Sequence, residues 1–71
     1  MEAWIARDKN KDLLLYTIRP HKVEHYDGRG WWQTCGLNQC RISDKCLPQG
    51  INPQWEDDEP IKVNLKIEKY D

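Results

Sequence analysis

The chain has 71 residues, 38% hydrophobic and 32% charged, with 11 Lys and Arg against 12 Asp and Glu for a formal charge of -1. That length holds one small domain, residues 1–71, with a thin core, and so balanced a charge excludes a global field that draws nucleic acid or an anionic membrane. No apolar run reaches membrane-spanning length and Met-Glu-Ala-Trp is not a secretory leader, so the expectation is a cytoplasmic protein with no membrane contact.

Ala3 to Arg7 is a short β-compatible run, and after the polar stretch Asp8 to Asp12 comes Leu13-Leu14-Leu15-Tyr16-Thr17-Ile18. The pair reads as a hairpin, with Asn10 as the turn residue that tolerates a left-handed backbone. Leu13 and Leu15 point to one face and Leu14, Tyr16 and Ile18 to the other, which suits a central strand covered on both sides. Arg19-Pro20 ends it, because Pro lacks the ladder donor. His21 to Tyr26 is polar and does not declare a structure. Asp27-Gly28-Arg29-Gly30 signals a turn, followed by a third strand at Trp31 to Cys35 and a fourth at Cys40 to Ser43. A Pro-rich connection leads to the last strand, where Ile61, Val63, Leu65 and Ile67 alternate with Lys62, Asn64, Lys66 and Glu68.

No window carries the apolar spacing of an amphipathic helix. The expected fold class is therefore mainly β, a single small antiparallel sheet or meander of four to five strands with little helix. Its core draws on Trp4, Leu13, Leu15, Val63, Leu65 and one of Trp31 and Trp32, since neighbours on a strand face opposite sides. The second face of such a sheet needs a cover, either the connection carrying Trp55 or another copy in a homodimer paired along the last strand.

Trp4-Ile5-Ala6-Arg7-Asp8-Lys9, Leu13 to Tyr16, Leu47-Pro48, Trp55-Glu56-Asp57-Asp58-Glu59-Pro60 and alternating Val63 and Leu65 resemble small uncharacterised proteins of gut bacteria and their phages or mobile elements. In that pattern Gly is common where Lys11 stands and Phe-Pro where Leu47-Pro48 stands, and three Cys are not expected. The resemblance implies a small β-rich protein and carries no activity or site residues.

Candidate chemistry is sparse. Cys35, Cys40 and Cys46 with His21 or His25 offer a Cys₃His set for a structural zinc, but the C-x₄-C and C-x₅-C spacings are looser than those of a zinc knuckle. Free, reduced thiols are the expectation, with no cofactor. His21-Lys22-Val23-Glu24-His25 matches an inverted metalloprotease motif, which needs a helix that Pro20 and the local pattern deny. Ser43 is the only serine and no phosphate-binding loop is present, so no catalytic constellation assembles and the chain is read as a non-enzyme.

Two binding surfaces remain. Trp55 beside Glu56, Asp57, Asp58 and Glu59 offers an aromatic anchor with an acidic rim that Lys62, Lys66 and Lys69 partly neutralise, suited to an unknown protein partner. Tyr26, Trp31 and Trp32 with Arg29 and Arg41 interleave rings and cations as single-strand nucleic-acid platforms do, and this is the alternative. The favoured expectation is a small binding or regulatory protein acting through protein contacts.

Overall fold

The computed structural model describes residues 1–65. Six strands form in chain order: β1 (Glu2–Arg7), β2 (Leu13–Tyr16), β3 (His21–Glu24), β4 (Gly30–Gln33), β5 (Gln39–Arg41) and β6 (Ile61–Asn64), with one short 3-10 turn at Asp44–Cys46. The chain is mainly β and antiparallel, and its strands divide between two sheets: four in the order β5-β2-β1-β6, and a separate pair, β3-β4. Expected Ile67, Lys66 and Lys69 lie outside the described residues.

β1 and β2 pair as read, with Trp4 opposite Tyr16 and Arg7 opposite Leu13. The left-handed residue of their turn is Lys11, at φ 78°, and not Asn10. The Lys11 amide bonds back to the Asp8 carbonyl at 2.9 Å, closing a tight turn whose last residue, Lys11 itself, swings to positive φ before the strand resumes. Asn10 serves instead through its side chain, which accepts from the Asp12 amide at 2.9 Å.

β6 lies against β1, Glu2 opposite Asn64 and Ile5 opposite Ile61, so β1 as well as β2 is an inner strand. Both faces of the sheet are covered. On one, Ala6, Tyr16 and Trp32 form the buried cluster, with Trp4, Leu14 and Trp55 packed against it. On the other, Ala3 and Ile5 are buried beneath the connection, and Arg7 pins that connection down: its Nε donates to the Pro53 carbonyl at 2.9 Å and its guanidinium meets Asp44 at 2.6 Å. The cover is incomplete. A cleft of about 170 Å³ remains among Ile5, Leu15, Ile42, Leu47 and Val63.

The core therefore differs in detail from the expectation. Leu13 and Trp32 are buried, but Trp4, Leu15, Val63 and Leu65 are only half-buried, and Ala3, Ile5, Ala6 and Tyr16 take their place. All four lie on β1 and β2, the two inner strands of the larger sheet.

Candidate surface on the second sheet

β3 and β4 pair with Lys22 opposite Trp32 and Val23 opposite Trp31, so the hairpin has two distinct faces. The inner face carries Trp32, whose amide donates to Asp8 Oδ1 at 2.8 Å and whose indole Nε1 donates to the Arg7 carbonyl at 3.2 Å. Tyr16 completes the dock by donating its hydroxyl hydrogen to the Trp32 carbonyl at 3.3 Å. Burial raises the Asp8 carboxyl above its ordinary range despite the Trp32 amide, which works in the opposite sense. Burial also raises the Tyr16 phenol, with the charge of Asp8 adding to it.

Trp55 closes the same side. Its ring meets Trp32 edge-on, with centroids 6.5 Å apart, and rests on Gly30, where any side chain would overlap it. The Lys22 ammonium sits 4.5 Å from the Trp55 ring and 5.3 Å from Trp32, and donates to the Trp55 carbonyl at 2.5 Å. Trp55 is thus committed inside the molecule and is not the free anchor that the sequence suggests. Of its acidic neighbours, Glu56 and Asp58 are exposed, whereas Asp57 accepts from the Gln54 amide at 3.0 Å and stabilises its own turn.

The outer face is different. Trp31 stands on it beside Val23, its Nε1 donating to Gln33 Oε1 at 3.0 Å. His25 stacks toward Trp31 at 6.4 Å between centroids and against Tyr26 at 4.3 Å, giving a row of three rings that ends in a 96% exposed tyrosine. Asp27 stiffens the tip below that row: it accepts from the Arg29 amide at 3.0 Å and from Arg29 Nε at 2.7 Å, and lies 2.9 Å from His25 Nδ1. The Arg29 amide foremost, then the His25 and Arg29 side chains, hold the Asp27 carboxyl below the usual range. Beside the tip, a cleft of about 350 Å³ opens between Trp31, Arg29 and the β1-β2 turn, where Lys9 Nζ donates to the Gly28 carbonyl at 2.5 Å.

The expected site residues are therefore split. Trp31 and Arg29 lie together at the hairpin, but Trp32 is 4% exposed and faces the core. Arg41 is on β5 in the other sheet, where its guanidinium is held by Asp12 at 3.0 Å. Sequence reasoning groups Tyr26 with Trp31 but misses His25 and Val23 as its partners, because β3 carries no apolar alternation to mark it as a strand. His21–Glu24 is extended, so the inverted metalloprotease motif has no helix. Among the described residues no three His, Cys, Asp or Glu side chains come close enough to hold a metal, and Cys35, Cys40 and Cys46 are each exposed and free. His25 spends its ring on Tyr26 and Trp31, away from the zinc set considered for it. Among the described residues no helix is long and apolar enough to cross a membrane. No known protein family, curated protein or solved structure matches the chain.

Proposed function

We propose that this chain is a small protein-binding module that acts through contacts, not catalysis, and that its contact surface is the outer face and tip of the β3-β4 hairpin. The observation that carries the reading is the row Trp31-His25-Tyr26, set beside Val23 and rimmed by the Arg29–Asp27 pair. An aromatic anchor with a polar rim is the anatomy of a protein interface, in which Trp, Tyr and Arg supply most of the binding energy. The tip is also preorganised. The His25 amide donates to the Arg29 carbonyl at 2.8 Å, so little ordering is left for the moment of binding.

Charge favours the protein reading over the nucleic-acid alternative on the same rings. Stacked bases suit such a row, but affinity for their phosphates comes from uncompensated cations, and here Arg29 is matched by Asp27 on a chain of formal charge -1.

The test uses the intact chain as bait in a lysate of its source, alongside Trp31→Ala and a Glu56→Gln/Asp58→Asn double variant, with each recovered protein then measured against purified bait by calorimetry. A specific protein lost with Trp31→Ala and kept by the acidic-segment variant supports the reading. Retention by Trp31→Ala, or recovery of nucleic acid alone with an affinity that falls steeply with salt, overturns it.

A further inference from the structure

The hairpin tip carries a second chemistry, independent of any partner. Asp27 is the only Asp or Asn in the chain that is followed by Gly, and a glycine amide is the least hindered nucleophile toward the preceding side-chain carboxyl. The surroundings leave room for it: nothing lies within 4 Å of where a Gly28 side chain would begin, and Gly28 already turns at φ 94°. We propose that Asp27–Gly28 is the site at which this chain forms isoaspartate, and that the folded tip, through Arg29 and His25, sets how fast it forms.

The reaction balances without a co-reactant. The Gly28 nitrogen gives up its proton and bonds to the Asp27 Cγ, one carboxyl oxygen leaves as water, and a succinimide closes. Water then opens the ring at either carbonyl. Opening at the main-chain carbonyl of Asp27 leaves the backbone running through its Cβ and Cγ, so the net change is an isomerisation with no atoms or electrons gained or lost.

The structure restrains both partners of that first bond. The Gly28 amide is occupied as a donor to the His25 carbonyl at 3.0 Å. The carboxyl is gripped by the Arg29 amide at 3.0 Å and Arg29 Nε at 2.7 Å and lies 2.9 Å from His25 Nδ1, so Cγ is not free to rotate onto the nitrogen. The same donors keep the carboxyl ionised, and an ionised carboxylate is a poorer electrophile than the neutral acid. A tip so held ages slowly; once opened it ages quickly. The product carries an extra backbone carbon between His25 and Arg29, which is incompatible with the bond that their main chains now share.

The experiment incubates the intact chain at neutral pH and physiological temperature, natively, in urea, and as Arg29→Ala with its fold checked by circular dichroism, and follows isoaspartate by methyltransferase labelling and peptide mapping. Label is expected at Asp27 before any other position, several-fold faster for Arg29→Ala than for the native chain, and fastest in urea. Equal rates in the native and urea samples overturn the proposal, as do equal rates for native and folded Arg29→Ala, or label that appears first elsewhere. If Arg29→Ala does not fold, the comparison of native with urea decides alone.

Discussion

The two sheets are held together by different means. In the four-stranded sheet, β1 and β2 each have a backbone partner on both sides, and side chains add to a ladder that already exists. Among the described residues the β3-β4 pair has no third strand, and an isolated two-stranded ribbon is marginal in water. It depends on a few groups on its inner face: Trp32 against Asp8, Arg7 and Tyr16, and Trp55 clamped by Lys22. A ladder tolerates the loss of one side chain, and a dock of this kind does not. The proposed binding surface sits on the weaker of the two.

If that contrast holds, Trp32→Ala should have the largest effect, about 3–5 kcal/mol, because it empties a buried site and leaves the Arg7 carbonyl without its indole donor. Urea melts followed by near-ultraviolet circular dichroism would measure it, and a loss below about 1 kcal/mol would show that the hairpin does not need its dock. Gly30→Ala comes next, at about 1–3 kcal/mol, since a Cβ there collides with the Trp55 ring and must displace it. Tryptophan fluorescence should shift in the same variant, reporting Trp55 moving away from Lys22.

Tyr16→Phe should cost about 1 kcal/mol at neutral pH through the bond to the Trp32 carbonyl. It also has a pH signature. Burial raises the Tyr16 pKa in the fold, whereas the unfolded chain releases the phenol proton near pH ~10, so the stability present below that pH is lost as pH rises beyond it. The gap between wild type and Tyr16→Phe should therefore narrow in alkaline melts. In the strong sheet, Lys11→Gly should stabilise by up to about 1 kcal/mol by relieving the left-handed backbone, a gain partly offset by the freer unfolded chain. Trp31→Ala should change stability least, within about 0.5 kcal/mol, while removing the proposed contact surface. A large loss in that variant would mean that the outer face is structural.

The same division decides what was legible in the sequence. Ala3 to Arg7, Leu13 to Tyr16 and Ile61 to Asn64 carry apolar patterns that a sheet face imposes, and all three are strands of the larger sheet. His21–Glu24 has no such pattern because its inward residue is Lys22, whose burial depends on two indoles supplied from elsewhere. Alternation required Trp31 and Trp32 to face opposite ways but could not choose between them. The choice falls to Trp32 because Asp8 and the Arg7 carbonyl wait for its two N–H groups across the chain. The free-anchor reading of Trp55 fails for a related reason, although its place in the cover agrees with the sequence: Gly30 is a turn signal in sequence and a seat for an indole in space. Arg41 was grouped with Arg29 by charge alone, and strand order separates them.

The place of β1 also has a kinetic consequence. Glu2 is paired with Asn64 and Ala3 with Val63, so one side of an inner strand is completed by residues translated more than half the chain later. Until β6 arrives, β1 presents an open edge of unpaired amides and carbonyls beside Ile5, a template for any other extended chain. Closing so long a loop before its contacts form is the entropic step that makes high-contact-order β proteins slow to fold. A nascent chain halted in the Pro-rich connection is therefore expected to be sticky where the finished one is not, and the vulnerable strand is the first one made.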